Sequence, residues 1–176
     1  MNVVYTEDEL IAYYRQINGL AHTYNEESDT SLEALLRQRL RTWYATLLLT
    51  GPVERLPARD VHRQIEYAKL ISNGMMLRLP SEGGRPVSVK LPEWEVPVTR
   101  FHAIGSAAHL RQRDYWLQST PDDPVAVLDG DTLYIYGIAD RVQINTNTQI
   151  DHLIMTAKPE DGTYQFDESD FPKNLI

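Results

Sequence analysis

A chain of 176 residues with 42% hydrophobic and 24% charged side chains has ordinary globular composition, and it is long enough to bury a core without staples. It holds no cysteine, which excludes a disulfide scaffold, a thiolate zinc site and a cysteine nucleophile. The net charge of −8 is uneven: residues 121–176 carry 3 basic against 11 acidic side chains, unlike a surface that grips nucleic acid by its phosphates. The first 16 residues hold three acidic side chains and no long apolar run, so a signal peptide is not expected. No apolar stretch is long enough to span a bilayer, and a soluble protein of a reducing compartment follows.

The first half reads as helices. Thr6-Glu7-Asp8-Glu9 has the capping-box spacing, and Leu10, Tyr13, Tyr14, Ile17 and Leu20 then recur at helical intervals. After a polar loop at 25–29, Thr30-Ser31-Leu32-Glu33 repeats the capping signal. It leads into a wide apolar stripe from Leu32 to Leu47, stopped by Gly51-Pro52. A third helix is expected from Pro57 to Asp60 onward, through Val61, Ile65, Ala68, Leu70 and Ile71, to a stop at Asn73-Gly74.

From Pro80 the pattern changes to strands. Val87 to Leu91 alternates, while Pro92 and Pro97 confine the next stretch to an edge or irregular structure. Ala107 to Leu117 fits a short helix or an extended arm. Val125 to Tyr136 reads as a hairpin around Asp129-Gly130, a pair that suits a type I′ turn. Arg141 to Asn145 and Leu153 to Ala157 look like further strands, the last ended by Lys158-Pro159. The expected class is α+β: an N-terminal antiparallel bundle of about three helices over 1–79, a β-rich part with a small antiparallel sheet over 80–162, and an extended C-terminal tail over 163–176. The three parts could equally make one domain plus a tail.

The side chains that might carry chemistry have plain alternatives. His62 and Glu66, four apart with Asp60 nearby, fit a metal pair or an oriented base, but no second His sits at zincin spacing and an exposed ion pair suffices. His102 and His109 flank Gly105-Ser106, which is not a nucleophile elbow. Asp122, Asp123, Asp129 and Asp131 lack the ligand spacing of a calcium loop, and Gly83-Gly84-Arg85 lacks the Lys-Ser/Thr of a phosphate loop. No catalytic residue, cofactor or metal is expected. Trp94, bracketed by Pro92 and Pro97, is either core or an anchor for a partner. The tail ends in Phe171-Pro172-Lys173-Asn174-Leu175-Ile176; it is held by a neighbouring surface or packs back on its own sheet. Trp94, Phe171, Leu175 and Ile176 are therefore the candidate partner-binding residues.

The hairpin Asp123-Pro124-Val125-Ala126-Val127-Leu128-Asp129-Gly130-Asp131-Thr132-Leu133-Tyr134-Ile135-Tyr136, the stop at Lys158-Pro159 and the close Phe171 to Ile176 together resemble the C-terminal half of head–tail connector (adaptor or ring) proteins of tailed bacteriophages, podovirus-like or crAss-like. The opening Tyr5 to Ile11, leading into helices, is similar in kind. The resemblance implies a virion structural protein rather than an enzyme. It would form a closed ring of its own copies between portal and tail proteins, with DNA passing the lumen without specific binding and no membrane partner. It would reside in the virion, and in the host cytoplasm during assembly. The alternatives are a small cytoplasmic protein-binding or regulatory module, or an enzyme of unrecognised type.

Overall fold

The computed structural model describes residues 1–20, 26–81, 83–138 and 150–175. Its elements are β1 (Asn2–Tyr5), α1 (Glu7–Ile17), α2 (Glu26–Thr50), β2 (Ala58–Asp60), β3 (Ala68–Ile71), β4 (Gly74–Arg78), β5 (Gly83–Lys90), β6 (Phe101–Ala103), α3 (Ala107–Leu110), β7 (Val125–Asp129), β8 (Thr132–Tyr136), β9 (His152–Ala157) and β10 (Tyr164–Asp167). The protein is mixed α+β. The chain divides into two compact units, one made of Met1–Pro57 with Thr156–Ile176, the other of Ala58–Met155.

In the first unit the expected capping box forms. The Thr6 hydroxyl accepts from Glu9 N–H at 3.3 Å, and the Glu9 carboxylate accepts from Thr6 N–H at 2.8 Å. A cap of this kind is worth about 1 kcal/mol to the helix it starts. The next helix ends at Thr50, before Gly51, as Gly51-Pro52 requires. It begins at Glu26 instead of Thr30, so the second capping signal lies inside the helix and part of the expected loop at 25–29 is helical.

Of the two expectations for the tail, the one in which it packs back on its own chain describes the structure. β10 pairs antiparallel with β1, Asn2 opposite Asp167 and Tyr5 opposite Tyr164, and Phe171 turns into the core beyond it. That core is aromatic. Phe166 lies 5.1 Å from Trp43 and 5.6 Å from Phe171, and Tyr44 lies 4.9 Å from Tyr164, ring centre to ring centre. Leu10, Leu36 and Leu40 fill the space between helices and ribbon, all wholly buried.

Glu7 ties these elements together. Its carboxylate accepts from Arg41 at 2.7 and 3.0 Å, from Arg37 at 2.9 Å and from the Tyr164 hydroxyl at 2.9 Å. The bond from Arg41 leads the causes that pull its pKa from the ordinary 4.5 to about 2. A carboxyl depressed in the folded state stabilises fully above its unfolded value, and the contribution fades as pH falls through the folded one. The stability gap between the natural chain and Glu7→Gln is thus expected to be widest above pH 4.5 and to close as the pH approaches about 2. Denaturant midpoints of both chains at stepped pH measure it; a gap that stays constant across that window would remove Glu7 from this role.

The second unit is built on a five-stranded sheet in the order β3-β4-β8-β7-β6, beside a three-stranded sheet in the order β2-β9-β5. β6 runs parallel to β7; the other pairs of the larger sheet are antiparallel. Met75, Leu77, Leu133, Ile135 and Ala126 alternate onto one face and are wholly buried, with Val89, Leu91, Trp94 and Leu153. α3 lies on the opposite face, where Ala108 packs on Val125, Val127 and Tyr136.

Two expectations fail here. The third helix does not exist: Pro57 to Gly74 forms β2, a 3₁₀ turn over His62–Gln64, and β3. Its apolar residues fit helical spacing, yet Ala68 and Leu70 followed by Met75, Leu77 and Leu79 fit the period of a strand as well. Pairing of β4 with β8 decides between them, and Asn73, at φ 58, makes the tight turn that the sequence suggested as a helix stop. In the β7–β8 hairpin the strands fall as expected, Asp129 opposite Thr132, but the turn residues are Gly130 and Asp131. Only Gly130 has positive φ, at 59°, which is the pattern of a type II′ turn and not type I′. The strand expected at Arg141 to Asn145 lies outside the described residues.

Candidate functional site

The sequence-predicted site residues do not come together. Trp94 is 2% exposed, and its indole N–H donates to the Gly137 carbonyl at 2.8 Å. Phe171 is 9% exposed in the aromatic core of the first unit. Leu175 is half-buried on that core, its N–H donating to the Tyr14 hydroxyl at 2.9 Å. Ile176 lies outside the described residues. His62 opens a 3₁₀ turn and not an α-helix, and its Nδ1 meets the Asp60 carboxylate at 2.7 Å. His109 Nδ1 accepts from Gly105 N–H at 2.9 Å, while Ser106 caps α3 by accepting from His109 N–H. Both residues of that pair thus serve the local fold. Among the described residues no group of three or more His, Asp or Glu could hold a metal ion. No helix among them is long and apolar enough to cross a membrane.

The surface feature that stands out lies in the stretch whose conformation the sequence left open. α3 runs into a 3₁₀ turn over Arg111–Arg113, and the chain then loops outward to Thr120. At its tip Tyr115, Trp116 and Leu117 are 76, 88 and 61% exposed. Three consecutive large apolar side chains in water are unusual for a surface that meets no partner, and Trp and Tyr are the residues that most often carry interface energy.

The loop is braced at its base. Gln112 is buried; its amide donates to Ala108 O and Ser119 Oγ at 2.9 Å, and its Oε1 accepts from Ser119 N–H at 2.9 Å. Asn73 Nδ2 reaches across from the β3–β4 turn to Ser119 O at 2.9 Å. Arg111 closes the far side on Asp123 at 2.9 Å. Gly137, at φ 85, holds the floor: a Cβ there would lie 2.4 Å from Thr120 O, so only glycine lets the loop's end approach β8. At the tip Asp114 makes a small turn of its own, accepting from Trp116 N–H at 2.8 Å. These bonds tie the two ends of the loop to each other and to the β3–β4 turn, so the aromatic tip projects from a braced base.

The charges around the loop are mixed: Arg111 is paired with Asp123, and Arg113 stands next to Asp114 at the tip. Residues 100–113 contain Arg100, Arg111 and Arg113 and no acidic side chain, in a chain of net −8. Burial first, and then the Arg100 and Arg111 charges, hold the His102 imidazole below its ordinary pKa. A depression of about 500 Å³ beside the loop is walled by Ile71, His109, Gln112, Arg113, Tyr115 and Tyr136. The arrangement offers an apolar tip beside a depression whose wall also includes Ser72. Sequence reasoning missed it. The available signal was Arg-Gln-Arg-Asp before Tyr-Trp-Leu-Gln: apolar residues run together without helical spacing, between polar flanks.

No family model, no curated protein and no solved structure matches this chain.

Proposed function

We propose that this chain is a structural protein that works by assembling with other protein surfaces, and that it is a head–tail connector subunit of a tailed phage virion, not an enzyme. The observation that carries the assembly reading is the braced loop holding Tyr115, Trp116 and Leu117 in solvent. A rigid aromatic anchor loses little entropy on docking, which is what a repeated subunit contact needs. The likeness of the Asp123 to Tyr136 hairpin to connector proteins supports the narrower reading. On it the partners are copies of the same chain in a closed ring and the portal and tail proteins on either side. The acidic C-terminal third would let DNA slide past without specific binding, and no cofactor or membrane takes part.

The test is density-gradient sedimentation of a lysate from the natural source, with this chain detected across the fractions. Banding with virion-sized particles at a fixed copy number is the expected result. Recovery only as free chain of about 20.2 kDa or a small oligomer would sink the virion reading and leave a small binding module.

A further inference from the structure

We propose that the aromatic loop of one copy seats in a cleft at the opposite end of the same sheet on the next copy. The proposal rests on the assembly reading above and gives it a direction. Sheet register fixes the geometry. Gly74, Tyr136 and Val125 lie across from one another at the end where Asn73 and Gly137 brace the loop. Arg78, Thr132 and Asp129 mark the other end, four residues of strand or about 13 Å away. There lies a cleft of about 630 Å³, lined by Leu79, Pro80, Ser81, Glu66 and Asp131, with Arg63, Gln64 and Arg78 completing the wall.

The two surfaces can pair charge for charge. The loop brings an apolar tip flanked by the exposed Arg113 and Asp114. The cleft brings the half-buried Pro80, with Leu79 buried behind it, and the exposed carboxylates of Glu66 and Asp131 set beside Arg63 and Arg78. Arg78 is already engaged over the Tyr67 ring at 5.6 Å, and Arg63 at the same wall offers Asp114 a counter-charge. The cleft is within the size range that encloses a whole small ligand, so an indole enters it. A projection and a receptacle on different surfaces of one unit make a heterologous contact, which repeats into a ring where the rotation closes. Single-stranded nucleic acid is the other occupant that an aromatic loop with arginines suggests. The net charge of −8 and the exposed aliphatic Leu110 and Leu117 favour protein.

The experiment is sedimentation velocity of the full chain over a concentration series, with tryptophan emission followed in parallel. The natural chain is expected to associate, and its emission to move to shorter wavelength as Trp116 is covered, because Trp94 is buried from the start and Trp43 half-buried. Trp116→Ala removes the projection and Ser81→Trp fills the cleft. Both positions are exposed, so thermal melts should match the natural chain. Each variant alone should associate at least about thirtyfold more weakly. Mixed in equal amounts, they should form a dimer and stop there, because one keeps only the cleft and the other only the loop.

Ser81→Trp assembling like the natural chain, or a mixture that stays monomeric, overturns this docking while leaving loop-driven assembly standing. Trp116→Ala assembling like the natural chain overturns the docking and also removes the loop from the assembly reading. A natural chain that stays monomeric overturns both. Binding of a labelled single-stranded oligonucleotide that Trp116→Ala abolishes would then assign the loop to nucleic acid.

Discussion

Trp94→Ala is expected to lower the stability of the second unit by about 3–5 kcal/mol, the usual range for truncating a fully buried large aromatic. For a unit of this size each kcal/mol moves the melting temperature by about 4–8 °C, so the transition should fall by at least about 12 °C. The side chain is 2% exposed and packs with Val89, Leu91, Leu133 and Ile135, among others, in the core between the sheets. Its backbone is fixed by a turn in which Trp94 N–H donates to Leu91 O at 3.1 Å. Trp94→Phe separates the two parts of its role. It keeps most of the ring but leaves the Gly137 carbonyl without its donor, at a cost of about 1–3 kcal/mol. Because Gly137 also holds the floor of the aromatic loop, that variant should raise hydrogen exchange at the loop's base before it unfolds the unit. Thermal melts followed by circular dichroism give the first quantity. An unchanged melt in Trp94→Ala would return the indole to the surface as an anchor for a partner.

Phe171→Ala should destabilise the first unit by a comparable amount, about 3 kcal/mol or more. Its ring lies 5.1 Å from Tyr13, 5.4 Å from Trp43 and 5.6 Å from Phe166. Contacts of this kind add about 0.5–1.5 kcal/mol each beyond the burial of area. Leu175→Ala is the contrast. The side chain is only half-buried and the hydrogen bond from Leu175 to the Tyr14 hydroxyl comes from the backbone, so the loss should be well below half that of Phe171→Ala. Denaturant unfolding followed through Trp43 emission compares them. The same burial changes how a truncation reads: removing residues 171–176 and losing assembly would report a broken core, not a lost subunit contact. Equal effects of the two substitutions would mean that the ring of Phe171 does not hold the core.

Local signals in the sequence translated well. The capping box at Thr6, the stop at Gly51 and the strands flanking Gly130 each depend on residues a few positions apart, and each formed. What failed depended on partners far along the chain. Pro57 to Gly74 carries apolar residues compatible with either period, and the choice falls to β4 pairing with β8 nearly sixty residues later. The C-terminal segment is polar and acidic as a string, yet Tyr164, Phe166 and Phe171 find α1 and α2 across more than a hundred residues. The candidate site was illegible for a related reason. Both Trp116, at 88% exposure, and Trp94, at 2%, have polar neighbours in the sequence, so their flanks alone do not separate them. The difference lies in the Gln112–Ser119–Asn73 brace, whose members mean nothing until the β3–β4 turn stands beside the loop.

The chain leaves the first unit at Pro57 and rejoins it at Thr156, and Pro57 O accepts from Ala157 N–H at 3.0 Å. The second unit is thus an insertion in the sequence of the first, its entry and exit held together where β2 and β9 lie side by side. A short linker from Pro57 to Thr156 would close the first unit without it, at little entropic cost. The insertion holds both the aromatic loop and the cleft, so the whole proposed joint travels as one cassette. Exchanging or reshaping such a cassette would alter how copies meet through changes confined to residues 58–155.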